Sequence, residues 1–184
     1  MAKYIRPAAR VLDVFSYVGA WGVRAAYSGA GEVWCIDSSA PALELATRNA
    51  ERNGLSLRTR KGDAFEVLEQ LIAEQASFDV VVLDPPAFAK RKKDLPKAQG
   101  AYRRLNQLAM RVLASEGILV SCSCSYHLGA GELQDAIARA ARGAEKQVQL
   151  LESGGQAPDH PVHPAISETR YLKAYFCRVN DTLK

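Results

Sequence analysis

FDVVVLDPPAF, residues 78–88, decides the fold of this chain. Its first six residues are apolar on both faces of an extended strand, the pattern of a parallel strand covered by helices on both sides. Asp84-Pro85-Pro86 then stops it, because proline removes a ladder donor and stiffens the backbone. Residues 10–15 (RVLDVF), 32–36 (EVWCI) and 56–60 (SLRTR) read as three earlier strands. Between them lies a helix over 20–29, closed by Gly29 and Gly31. A second helix opens at Ser39 as N-cap with Pro41 in its first turn. It carries Leu43, Ala46, Thr47 and Ala50 on one face and stops at Gly54. A third covers 64–75, with Phe65, Leu68 and Leu71 or Ile72 inward.

Beyond the decisive stretch come a helix over 99–114, the strand GILVSCS at 117–123 and a helix over 130–142. Two final strands follow near 146–151 and 171–179. The loop between them shows no convincing helix, so a hairpin is expected, which makes the last strand antiparallel. The fold class is α/β: an open, seven-stranded, mostly parallel sheet with helices on both faces. The 184 residues form one domain. In such sheets ligands bind beyond the carboxyl ends of the strands.

Composition narrows the classes. Hydrophobic residues make up 48% and charged residues 24%, which excludes disorder, collagen and coiled coil. No apolar run approaches the roughly 18 residues of a membrane span, and residues 1–15 lack a signal-peptide pattern, so no membrane partner is expected. Cys35, Cys122, Cys124 and Cys177 have no zinc-finger spacing and read as reduced thiols of a cytoplasmic protein. His160 and His163 on a proline-rich loop are a weak metal signal, and no metal is predicted. Residues 90–111 carry Lys90, Arg91, Lys92, Lys93, Lys97, Arg103, Arg104 and Arg111 against Asp94 alone. That stretch is +7, so the rest of the chain is −3 within a total of +4. It is either a solvated loop and helix face or a contact for a polyanion, and its position after the Asp-Pro-Pro turn favours the contact.

Each early strand ends at a candidate ligand group. After the first come Asp13, Gly19 and Gly22, the glycines permitting close backbone approach at a helix opening. The dinucleotide pattern G-x-G-x-x-G is absent, which weakens a nicotinamide reading. After the second comes Asp37, suited to the two hydroxyls of a ribose. After the third comes Asp63 within Gly-Asp-Ala-Phe. Each acid alone reads equally well as a helix N-cap.

This ordered set resembles the class I S-adenosylmethionine-dependent methyltransferases, whose Rossmann-like sheet has seven strands with an antiparallel last one. The resemblance implies that residues 13–22, with Asp13, Phe15, Tyr17, Gly19 and Gly22, hold the methionine part of S-adenosylmethionine. Asp37 and Ser38 would take the ribose, Asp63 and Ala64 the adenine, and Asp84 would border both cofactor and substrate.

Asp84 can accept from a base amine, and Phe88 beyond Pro85 and Pro86 can stack on a base. After the fifth strand comes SCSCSYH, residues 121–127. Cytosine carbon 5 is a poor nucleophile, and an enzyme that methylates it first adds a thiolate to carbon 6. Cys122 and Cys124 fall on the same side of an extended chain, so parity does not separate them. Cys124 lies nearer the ligand edge and is favoured, whereas Cys35 and Cys177 read as small buried hydrophobes.

LDPPAF, SCSCSYH, DHPVHP and ETRYLK together resemble a narrower family, the bacterial large-subunit (23S) ribosomal RNA cytosine-5 methyltransferases with an N-terminal PUA domain. Their nucleophile matches Cys124. The resemblance implies 23S RNA or the large ribosomal subunit as partner. Pro85, Pro86, Phe88, Lys90, Arg91, Lys92, Arg103 and His160 would bind substrate. Two departures stand out. Ala87 occupies the place where other RNA cytosine-5 methyltransferases carry a second cysteine for product release, so another base is required. The PUA domain and linker motif are missing ahead of the first strand. Two other readings stay open: an exocyclic-amine methyltransferase that needs no thiol, and a cofactor-binding module inactive by itself.

Overall fold

A strand that is apolar on both faces must be covered on both faces, and residues 78–83 meet that condition at the centre of the sheet. The computed structural model describes residues 1–182. Its strands are β1 (Arg10–Val14), β2 (Glu32–Asp37), β3 (Arg58–Lys61), β4 (Phe78–Leu83), β5 (Leu113–Ser123), β6 (Lys146–Gly154) and β7 (Lys173–Asp181). Its helices are α1 (Ala20–Tyr27), α2 (Ala40–Glu51), α3 (Ala64–Ala73), α4 (Leu95–Arg111) and α5 (Ala130–Gly143). The sheet order is β3-β2-β1-β4-β5-β7-β6. The pairs among β1 to β5 are parallel, and β7 runs antiparallel to both β5 and β6.

Strand parity sorts the core into two layers. Leu12, Val14, Val81, Leu83, Leu119, Tyr175 and Cys177 pack with α3, α4 and α5. Val11, Cys35, Val80, Val82, Val120, Cys122 and Phe176 pack on the other side, with Ala25 of α1 and Leu43 of α2. Local signals set the helix starts. Ser39 Oγ accepts from the Ala42 amide at 3.3 Å, and Asp63 accepts from the Phe65 and Glu66 amides at 2.9 and 3.3 Å.

Several boundaries differ from the expectations by two to four residues, and three of the shifts have a local cause. Helix α4 starts at Leu95 rather than 99, because Pro96 occupies its first turn, where a missing amide costs nothing. Strand β5 starts at Leu113 rather than 117, because a register shift against β4 accommodates Glu116, whose φ is +60°. Strand β6 runs three residues further than the expected 151, to Gly154, paired with Ala174 of β7.

The two glycines after β1 are used for packing. A Cβ on Gly22 would lie 2.5 Å from Cys35 Sγ and 3.3 Å from Asp13 Oδ2. A Cβ on Gly19 would lie 2.9 Å from Ala46 Cβ. These contacts lie on the side a Cβ would occupy and leave the expected backbone approach to a ligand untouched. These glycines let α1 press on the sheet and on α2, and the space a side chain would take is already filled by protein.

Gly22→Ala is expected to lower stability by about 1–3 kcal/mol through overpacking, read from urea midpoints. Adding Cys35→Ala should return part of that loss. Strictly additive losses would mean that Gly22 does not press on Cys35.

Candidate active site

The carboxyl ends of the parallel strands converge on one edge, and four acids stand there. Asp13 is completely buried. Its Oδ2 accepts from the Gly22 amide at 2.9 Å, while Oδ1 is buried with no partner among the described residues. Burial pushes its carboxyl up to about 7, the charges of Asp84 and Asp37 add to the rise, and the Gly22 amide opposes it. An unsatisfied buried oxygen is costly, and a cationic amine from a ligand would satisfy it. Asp37 holds the entry loop: Oδ2 accepts from the Tyr17 amide and Oδ1 from the Ser39 amide, both at 2.9 Å. Asp63 is exposed and caps α3 through Oδ1. Ser38 is exposed beside Asp37, and Ala64 is buried in the first turn of α3.

The loop between β1 and α1 is strained. Phe15 and Tyr17 have φ of +63° and +48°, a left-handed conformation that aromatic residues rarely adopt. Such strain costs about 1–3 kcal/mol per residue and gathers at binding sites. Here the Ser16 amide donates to Ile36 O at 3.0 Å and the Gly19 amide to Ser16 O at 2.7 Å, which holds the loop shut. Tyr17 is left 69% exposed.

Asp84 faces the same edge, its Oδ2 accepting from Trp21 Nε1 at 2.9 Å. Pro85 is buried and Pro86 exposed. Phe88 is half-buried, 4.9 Å from the Tyr102 ring and 6.3 Å from the Phe15 ring. Part of this ring belongs to the core edge, so its whole face is not free to stack.

The structure separates the two cysteines that parity could not. Cys122 is in the layer with Val120 and Phe176, and burial drives its thiol well above the usual range. Cys124 lies one residue past β5 and is half-buried, its Sγ 3.8 Å from Pro85 O. Burial and the Asp84 charge raise its thiol, while its own backbone and Lys173 lower it. All four cysteines are free.

Four residues given no individual role in the sequence expectations, Trp21, Tyr102, Ser125 and Lys173, organise this edge. Trp21 fixes Asp84. Tyr102, fully buried on α4, donates to Ser123 Oγ at 2.9 Å, with Ser125 Oγ at 3.4 Å. Ser125 Oγ accepts from the Ala89 amide at 3.3 Å, so one hydroxyl cluster ties α4, the end of β5 and the Asp-Pro-Pro loop together. Lys173 donates to Ser125 O and Leu128 O. Ser125 and Lys173 fall inside SCSCSYH and ETRYLK, but only long-range contact shows what they and Tyr102 do.

The basic stretch divides. Lys90, Arg91, Lys92 and Lys93 are exposed at and before a short 3-10 turn (Lys92–Asp94), but Arg91 pairs with Asp94 at 3.1 Å. Arg104 pairs with Glu69 at 2.8 Å. Arg103 lies in a groove of about 310 Å³ between α4 and α5 that also holds Glu132 and the Asp135–Arg139 ion pair. Among the described residues Lys90, Lys92, Lys93, Lys97, Arg103 and Arg111 are exposed without an ion pair, and the first three follow the Asp-Pro-Pro loop directly. His160 Nδ1 is 3.2 Å from Asp159 Oδ2, and its carbonyl accepts from Gln156 Nε2. These bonds brace its own loop. Among the described residues no cluster of His, Cys, Asp or Glu is arranged for a metal ion, and no helix is long and apolar enough to cross a membrane.

Residues 5–163 match a methyltransferase domain family. The ribosomal RNA large subunit methyltransferase I of Photobacterium profundum is 41% identical over 180 residues, which is 96% of this chain and 45% of that relative. That of Aeromonas salmonicida is 41% identical over 97% of this chain and 46% of its own length. The chain thus spans about half the length of the curated relatives it matches. Among solved structures, a candidate SAM-dependent methyltransferase from Streptococcus mutans has a TM-score of 0.82 at 20% identity, covering 96% of this chain and 46% of that one. A candidate methyltransferase complexed with SAH also scores 0.82 at 20% identity, covering 94% and 45%. At that identity the likeness is one of fold.

The buried Asp13 gives a stability test. Its folded value of about 7 lies above the ordinary 3.8, so the folded state holds a proton that the unfolded chain has released. Its contribution to stability is full below about 4 and declines as pH rises to about 7, by at most about 1.4 kcal/mol per unit. Asp13→Asn should remove that decline when urea midpoints at pH 5 and pH 8 are compared. Equal pH dependence in both proteins would show Asp13 ionised in the folded state.

Proposed function

The chain belongs to the methyltransferase domain family, and on that premise we propose that it is the catalytic part of a large-subunit ribosomal RNA methyltransferase that forms 5-methylcytosine in the cytoplasm. The observation that carries this reading is Cys124: a half-buried thiol at the ligand edge, 3.8 Å from Pro85 O, while Cys35, Cys122 and Cys177 are buried. An enzyme that methylates an exocyclic amine needs no thiol there. The names of the relatives support ribosomal RNA as substrate, and the sequence resemblance supports the carbon-5 position.

The cofactor is S-adenosylmethionine, which supplies an electrophilic methyl group when bound. Asp13 would accept from its amine, Asp37 from the ribose and Asp63 from the adenine, while Phe15, Tyr17 and Ser38 border the cleft. The partnerless Asp13 Oδ1 is the feature of the chain that best fits this ligand. A target cytosine must leave its stack to reach the edge. Asp84, steadied by Trp21, would accept from its amine, with Pro85, Pro86 and part of Phe88 as walls. Cys124 would form a bond from Sγ to carbon 6, making carbon 5 nucleophilic. After carbon 5 is methylated it loses its proton to a base, and the Sγ–carbon bond breaks as the ring double bond returns. Ala87 cannot serve as that base. Asp84 is the carboxylate whose charge bears on Cys124.

Methyl transfer to unmodified ribosomal RNA, read by nucleoside mass spectrometry, should yield 5-methylcytosine with wild type and with Cys122→Ala. Cys124→Ala should lose at least about a hundredfold in rate, the scale of removing a covalent nucleophile. A methylated amine with both variants active would instead establish the exocyclic-amine reading, which Asp84 and Phe88 would serve.

Lys90, Lys92 and Lys93 would contact phosphates. Replacing all three with glutamine should reduce the log–log salt slope of single-stranded RNA binding by about 2, at roughly 0.7 per lost contact. An unchanged slope would leave this stretch as a solvated surface.

A further inference from the structure

Lys173 is a half-buried cation without an ion pair among the described residues. It stands opposite Ser123 in the antiparallel pairing of β5 and β7, one residue before Cys124. Its Nζ donates to Ser125 O at 2.7 Å and to Leu128 O at 2.6 Å. These two carbonyls begin and end the turn that carries the chain from Cys124 to α5, and the Leu128 amide closes the same turn onto Ser125 O at 3.2 Å. Two carbonyls satisfy two of the three ammonium donors but do not neutralise the charge. A cation half removed from water with only carbonyls in hydrogen-bond reach is under-compensated, and no carboxylate pairs with it directly among the described residues.

The groups around it limit which counter-charge it can take. Glu132 of α5 and Cys124 are the groups whose charges bear on Lys173, and burial lowers its ordinary value against their pull. From the other side, Cys124 is faced by Asp84 beyond β4, by Tyr102 on α4 and by Lys173 on β7, with Cys122 on its own strand. Of these, Lys173 is the cation. Asp84 opposes formation of a thiolate, and Lys173 favours it.

We propose that Lys173 is a positioning residue for Cys124: it locks the turn that aims the thiol toward Pro85 and supplies the positive charge that a thiolate at Cys124 requires. The chemical consequence rests on the reading of Cys124 as nucleophile, but the charge relation does not. Ionisation moves the thiol proton to solvent and leaves a thiolate beside the ammonium. Removing the positive charge leaves the thiolate facing Asp84 alone.

Iodoacetamide alkylation tests this without RNA or cofactor. The other three cysteines are buried, so reaction of the folded protein reports Cys124, with the modified peptide located by mass spectrometry. Lys173→Gln keeps a hydrogen-bond donor for the turn and removes the charge. Lys173→Arg keeps the charge. The midpoint of the rate–pH profile should rise by about one unit or more in Lys173→Gln, the effect of losing an opposite charge at close range. It should stay near wild type in Lys173→Arg and fall in Asp84→Asn. Thermal midpoints identify any variant whose fold has changed. An unchanged profile in a folded Lys173→Gln protein overturns the proposal. Continued 5-methylcytosine formation by Cys124→Ala would instead overturn the nucleophile reading and leave the alkylation result standing.

Discussion

Asp13 has a carboxyl group with no access to water, one backbone donor, the amide of Gly22, and a weak thiol donor, Cys35, and the geometry around it follows from keeping the amide bond. Gly22 must lack a side chain because Cys35 fills the place of its Cβ. Helix α1 therefore lies close on the sheet, and the chain between β1 and α1 has little length in which to turn. It turns with Phe15 and Tyr17 in left-handed conformations, held by Asp37 at the neighbouring strand end. The strain and the unsatisfied oxygen are local costs that a packed core sustains.

The second organised region lies across β4. There the Asp-Pro-Pro loop, the end of β5, helix α4 and strand β7 meet through polar groups that are mostly buried. Tyr102, Ser123, Ser125 and the Ala89 amide form one hydroxyl cluster. Lys173 reaches into the adjoining turn from the antiparallel strand. Buried polar networks of this kind restrict a backbone to one arrangement when their members are satisfied. Cys124 sits between the cluster and the lysine, which accounts for a thiol at a loop position being held against the Pro85 carbonyl. The reversal of β7 is thus more than an edge-strand detail, since it brings a residue from the end of the chain beside the fifth strand.

The chain shares about half the length of its ribosomal RNA methyltransferase relatives. Within that shared half lie both the strand-end acids and the cysteine. The positive charge is concentrated at the mouth of the same edge. Internal pairing with Asp94 and Glu69 takes Arg91 and Arg104 out of the run of eight basic residues, and Lys90, Lys92 and Lys93 are the exposed unpaired ones next to the Asp-Pro-Pro loop.

The seven strands, their alternation with helices, the antiparallel last strand and the gathering of acids at one sheet edge are all legible in the residues themselves. They rest on short-range regularities: two-residue alternation in strands, apolar spacing in helices, and capping groups such as Ser39 and Asp63. Parity, though, assigns a side only within a strand. It could not separate Cys122 from Cys124, because that difference depends on where β5 ends and on what lies above it. Nor could it show that Gly19 and Gly22 face protein, that Trp21 reaches Asp84, or that Tyr102 and Lys173 converge on the turn after Cys124. Those facts depend on contacts between residues far apart along the chain, which have no local signature and exist only when the sheet has brought its strand ends together.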